Sequence, residues 1–232
     1  MPAQAAGAAF ENAPATGIGL DSEILAAAAR SPDVLPLLEF TLDELYRRDI
    51  DQAGGTFLTY ATYRALGGLD GAVAAHAEAV AAAPPPAVAA TLPGLLAALT
   101  VVGDDDRIAA RTAELAALQR SPDEAALVQA MIDGRLLVVS GEGRAAQVRL
   151  VHEALLRAWP RAAAIVAADR EAIRTRARIE AAALRWRAEG RAEDFLLPRG
   201  RSLAEAVELA ADRPDLVGPE LAQFVEASQA AD

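Results

Sequence analysis

Alanine fills about a quarter of the 232 positions, and it is the residue that most favours helix. Only 4% of the chain is aromatic, so sheets built on large side chains have little material to work with. Hydrophobic residues at 53% and charged residues at 24% are enough to bury a core. The expected fold is therefore mainly α, with glycines and prolines as its punctuation.

That punctuation divides the chain. The stretch before Leu20 is small-residue rich and aperiodic, which predicts loose packing. Asp21 or Ser22 is suited to cap a helix running to Arg30. Ser31-Pro32-Asp33 then interrupts the chain. Leu35, Leu38, Leu42 and Leu45 share one helical face, which Arg47, Arg48 and Asp49 are expected to end. Short helices follow over Thr59 to Leu66 and Leu69 to Ala82, separated by Gly67-Gly68 and stopped by Pro84-Pro85-Pro86. From Ala87 an apolar helix carries Leu92, Leu95, Leu96 and Leu99. Arg107 to Arg111 reads as a short strand and Thr112 to Leu118 as a short helix. Ser121-Pro122-Asp123-Glu124 opens a further helix to Asp133.

One region breaks the helical rule. Leu136 to Val139 and Val148 to Val151 are apolar runs around Ser140-Gly141-Glu142-Gly143-Arg144, a hairpin signal. Helix, strand, helix, helix, hairpin is the order of a winged helix-turn-helix. After it the pattern returns to helix: His152 to Trp159, a long helix from Pro160 to Glu189, one capped by Ser202, and a last one from Pro219. The expected division is 1–86 helical lid-like, 87–152 winged helix with a small β-hairpin, and 153–232 helical connector.

Composition removes whole classes of chemistry. All 22 basic residues are arginine, so there is no Gly-Lys-Ser/Thr phosphate loop and no lysine Schiff base. With no cysteine there are no disulfides, Cys-zinc sites or thiol nucleophiles. Two histidines do not make a multi-His metal site, and no metal ligands are assigned. A net charge of −11 opposes nucleic acid and anionic lipid. The N-terminal residues lack a basic, apolar signal-peptide pattern, so the expected location is cytoplasmic. Ala79 to Gly103 is uncharged and long enough to span a bilayer, but its prolines predict a broken pair of buried helices instead of a membrane span.

Several segments resemble the novel STAND NTPase 1 family: Leu35-Pro36-Leu37-Leu38-Glu39-Phe40 with Leu42 to Tyr46, Tyr63 to Gly68, Val151 to Arg161, Phe195-Leu196-Leu197, and Glu220 to Ser228. The resemblance covers nearly the whole chain and is most specific at Val151-His152-Glu153. STAND proteins are signalling ATPases with a P-loop domain, an AAA+-type lid, a winged helix and a sensor array. The resemblance thus implies the regulatory half of such a protein, sensing bound nucleotide and relaying its state. The P-loop core and a WD-repeat-like sensor would be its missing partners. ATP or ADP would be bound only in the complete protein, and the chain alone would not be an enzyme.

Two residues carry the implied nucleotide contact. Pro36 matches the lid proline that lies on adenine; read by itself, it is also an ordinary first-turn proline. His152 matches the histidine that contacts the β-phosphate of ADP. An imidazole N–H suits a phosphate oxygen, and a helix start offers free amides to an anion. Read by itself, His152 is also a partly buried residue capping that helix.

Other candidates weigh less. His76 reads as a plain surface or core residue, and Asp104-Asp105-Asp106 as a solvated loop. Arg170, Arg174, Arg176, Arg178, Arg185, Arg187 and Arg191 form a basic region, which interspersed glutamates mark as an exposed helix with i,i+4 pairs. Two alternatives remain: a DNA-binding winged-helix transcription regulator, and an inert helical protein-interaction module. The acidic helix from Pro122 to Asp133 has no arginine and argues against DNA.

Overall fold

The computed structural model describes residues 8–29, 35–103 and 105–231. Ser31-Pro32-Asp33 and Asp104 lie outside them. The fold is mainly α, with small sheets.

The N-terminal unit is built on a two-residue parallel pairing of β1 (Ala9–Phe10) with β2 (Phe57–Leu58). Between them lie α1 (Leu20–Ala28) and α2 (Leu35–Tyr46). The helix that Asp21 or Ser22 was expected to cap begins earlier, at Leu20. Gly19 is its N-cap, without a side-chain bond. The aspartate falls in the first turn, where its charge meets the positive end of the dipole.

Arg47, Arg48 and Asp49 do not end α2. The backbone widens there into a π-helical segment, Arg47–Gln52. The wider turn brings Asp49 inward to 7% exposure. Its carboxylate accepts from the Thr59 amide at 2.7 Å and from the hydroxyls of Thr59 and Thr62. Asp49 is thereby used at the start of α3 (Tyr60–Ala65), whose own cap, the Thr59 hydroxyl, accepts from the Thr62 amide at 3.1 Å.

The turn before α4 (Gly68–Ala82) places Gly67 at φ 78° and Gly68 at φ 73°. Side-chain-bearing residues avoid that left-handed region. Leu20, Ile24, Leu45, Leu58, Tyr60, Tyr63, Leu66, Leu69 and Ala72 close one core here.

The prolines act as expected. After α4 come the short α5 (Pro86–Ala89) and α6 (Leu92–Ala98). No described helix is long and apolar enough to cross a membrane. β3 (Thr100–Val102) emerges directly from the apolar helix and pairs antiparallel with β4 (Ile108–Ala110). The short strand expected near Arg107 therefore has a partner that sequence reading missed.

The expected helix over Thr112 to Leu118 is instead β5 (Ala113–Glu114) followed by a 3₁₀ turn, Leu115–Leu118. The edge of the later strand Gln147–Leu150 recruits residues 113 and 114 before the chain can coil. α7 (Pro122–Asp133) begins with a reciprocal box. The Ser121 hydroxyl accepts from the Glu124 amide at 3.2 Å, and the Glu124 carboxylate accepts from the Ser121 amide at 3.0 Å. β6 (Leu137–Ser140) and β7 (Gln147–Leu150) form the expected hairpin, and the antiparallel sheet runs β5-β7-β6.

α8 (Leu155–Ala158) and α9 (Pro160–Ala168) meet at Trp159, whose extended backbone is the conformation a following proline imposes. The single long helix expected from Pro160 is broken at Asp169. α10 (Arg170–Ala188) starts afresh beyond it. α11 (Arg201–Asp212) begins before Ser202, with Gly200 at its start and no side-chain cap. α12 (Pro219–Ala230) closes the chain as expected.

The second core is continuous from Val73 to Val225 and joins the hairpin unit to α8–α12. Trp159 and Phe224, at 1% and 0% exposure, are its largest fully buried side chains. α4 belongs to both cores. Leu69 and Ala72 face the first; Val73, Ala77 and Ala81 face the second.

Candidate functional site

His152 stands two residues past the end of β7 and is 7% exposed. Its Nδ1 accepts from the Ala154 amide at 3.0 Å, and its carbonyl accepts from the Leu155 amide at 3.2 Å. An accepting Nδ1 leaves the neutral ring's proton on Nε2. The next two amides, of Leu156 and Arg157, donate to the carbonyls of Glu153 and Ala154. The amides of Ala154 to Arg157, expected to be free, are thus paired, because α8 is one turn long and the turn before it consumes them. Those four amides offer no cradle for a phosphate. The N-cap of α8 is Ala154, without a side-chain cap, so the Nδ1 of His152 holds the preceding turn instead of capping the helix.

Pro36 occupies the first turn of α2. Its side chain lies outside the described residues.

His76, read from sequence as a plain surface or core residue, is half-buried on α4. Its Nε2 lies 2.7 Å from the Gly134 carbonyl, an acceptor, so Nε2 carries the proton. That carbonyl ends α7 and has no helical donor of its own. The imidazole also packs on the Phe40 ring of α2, with centroids 4.2 Å apart. Two residues along α4, Glu78 accepts from the Trp159 indole at 2.6 Å and from Arg161 at 3.2 Å. A buried indole needs such a partner for its single donor. Gly134 itself is a close-approach position, since a Cβ there would meet the two methyls of Val80 at 2.7 and 2.9 Å.

The exposed positions of α7 are Pro122, Asp123, Ala126, Gln129 and Asp133. A helix entering a DNA groove needs donors and positive charge. This face offers two carboxylates and a glutamine that donates to Asp133 at 2.7 Å. Arg149 on the hairpin donates to the Leu150 carbonyl at 3.3 Å. The Arg144 side chain lies outside the described residues.

The arginines of α10 and just beyond are not an open basic face with simple i,i+4 pairs. Arg170 and Arg174 both reach Asp106. Arg178 pairs with Glu205 at 2.8 Å, and Arg187 pairs with Glu220. Arg185 lies over the Phe195 ring and Arg191 over Trp186. Arg176 is 2% exposed and donates to the carbonyls of Ala97 and Thr100, each at 2.7 Å. The Ala97 carbonyl lies in the last turn of α6 and the Thr100 carbonyl opens β3, so one buried guanidinium holds the junction between the helix and the strand. Burial pushes its pKa down to about 10, with Glu180 opposing the shift. Sequence reasoning placed Arg176 with the solvated charges. The available signal was its position between Ile173 and Ile179 on the buried face.

Asp105 and Asp106 are exposed, consistent with a solvated loop. Among the described residues no group of His, Asp or Glu could hold a metal ion.

Residues 1–194 match the model of the family described as novel STAND NTPase 1. No curated protein and no solved structure gives a significant match. The match takes in both histidines, the β5-β7-β6 sheet and α1 to α10. The chain belongs to the novel STAND NTPase 1 family.

Proposed function

We propose that the chain acts as the regulatory part of a STAND-type signalling NTPase and is not itself a catalyst. In this reading residues 1–86 are the lid, 87–152 a winged helix used for packing against protein, and 153–232 the connector. Pro36 and His152 would hold adenine and phosphate when a P-loop domain supplies the remaining contacts. His152 would do so through Nε2–H, a donor to a phosphate oxygen. The nucleotide state would pass onward as a rigid-body rotation toward a WD-repeat-like sensor or another protein partner. A cytoplasmic location suits that role.

The observation that carries the reading is mechanical continuity around His152. The histidine is bonded into the turn that begins α8, and Trp159, at the end of that helix, is tied to Glu78 of α4. A change at His152 therefore reaches the lid-like helices through two short, directional contacts.

Calorimetric titration with ADP tests the proposal. The expected result is no binding to the chain alone and binding when it is joined behind a P-loop domain of the same family. His152→Ala should then weaken affinity by about 10-fold or more, the worth of one charge-assisted hydrogen bond. ATP hydrolysis by the purified chain alone, or unchanged affinity in the variant, would overturn it.

A further inference from the structure

The seam between the N-terminal unit and the hairpin unit is unusual in what holds it. On the α4 side its fully buried residues are Ala77 and Ala81, with Val73 beside them. Alanine removes little apolar area from water, so the α4 side of this seam gains less from burial than the packing around Phe224. Closing it falls instead to two polar contacts two residues apart on α4. His76 supplies the donor that the Gly134 carbonyl lacks, and Glu78 supplies the acceptor that the Trp159 indole needs.

Each contact joins groups that water could satisfy if the seam parted. The Gly134 carbonyl is at a helix end, and the side chains of Glu78 and Arg161 are already 47% and 36% exposed. Opening would therefore cost the geometry of a few hydrogen bonds and the contact that Val73, Ala77 and Ala81 make with the second core. Gly134 and Val80 set the separation, because no Cβ fits between the two elements. The seam combines a close fit with weak burial, as expected of an interface with two arrangements.

We infer that His76 and Glu78 form a two-point latch: closed, it fixes the lid-like unit against α7 and α8; released, it lets the two units turn about α4. The inference rests on the regulatory reading above and names the contact that its rotation must break. His76 is well placed for this, since it touches three elements at once: Phe40 on α2, its own α4, and the end of α7. Arg161, two residues past Trp159, adds a second hold on Glu78.

Distance measurement by electron spin resonance tests the latch without any nucleotide. The chain has no cysteine, so spin labels go only where they are placed: Ala61→Cys on α3 and Ala126→Cys on α7, both exposed positions. The parent should give one distance. A His76→Ala, Glu78→Ala double variant should add a second, longer distance, with a roughly tenfold rise in the separated fraction. Glu78→Gln keeps an acceptor for Trp159 and loses the charge that Arg161 pairs with. It should show a smaller rise, and it decides the matter if the double variant does not fold. An unchanged single distance in the folded variants overturns the latch. That failure would leave the nucleotide reading to be judged by ADP titration alone, so the two claims fall separately.

Discussion

Arg176 shows how far a residue's role can lie from its sequence neighbourhood. It sits among seven arginines that look alike in sequence, yet it alone is buried, and its bonds reach back 79 and 76 residues. Nothing local distinguishes a solvated guanidinium from one that holds a distant helix–strand junction. Arg176→Lys should destabilise the chain by about 2 kcal/mol in urea unfolding, because a single ammonium cannot replace the planar fork and leaves a buried carbonyl under-satisfied. His76 was illegible for the same reason, its carbonyl partner being 58 residues away. The family motif around His152 was legible because it is contiguous.

Carboxylates give the residue scale its pH dependence. Arg47, with Arg48, holds Glu44 below the usual glutamate range. For Asp215, burial pushes upward, but the Arg213 guanidinium outweighs it and the net shift is downward. Groups depressed in the folded state contribute stability above their unfolded pKa and lose it as pH falls through the folded value. Thermal unfolding followed from pH 6 downward should therefore show stability falling below the ordinary carboxylate range. Asp215→Asn should flatten that slope.

Elements were readable where start signals and periodicity agreed. Ser121-Pro122-Asp123-Glu124 specified α7 to the residue, and the two apolar runs around Gly141 and Gly143 specified the hairpin. Elements whose identity depends on a neighbour were not readable. β3 is hidden at the end of an apolar helix and exists because β4 returns beside it. β5 reads as helix in sequence because a two-residue strand has no period of its own. The π-helical segment after α2 follows from the pull of Asp49 toward the Thr59 turn, again a contact beyond any local window. At the joint between elements, Gly134→Ala should cost about 1–3 kcal/mol in chemical unfolding, since the new methyl overlaps Val80 and one helix must retreat.

For the whole molecule, the family resemblance was recoverable from contiguous motifs, and the match over residues 1–194 supports it. The sharing of α4 between two cores was not, because its buried residues form one continuous apolar pattern in sequence. The second core is tied shut at its far end by α12, where Phe224 is fully buried with its ring 5.3 Å from that of Trp186. Phe224→Ala should lower stability by about 3–5 kcal/mol in urea. It should loosen α10 to α12 together, as read by Trp186 fluorescence.

The central proposal is that His152 would meet nucleotide through Nε2 while Nδ1 holds the turn. His152→Asp separates the two, because a carboxylate can still accept from the Ala154 amide but repels phosphate. The decisive measurement is ADP affinity of the chain joined to a P-loop domain, compared between parent and His152→Asp at matched thermal stability. The account predicts a normally folded variant with ADP affinity reduced at least 10-fold; equal affinity in a folded variant would contradict it.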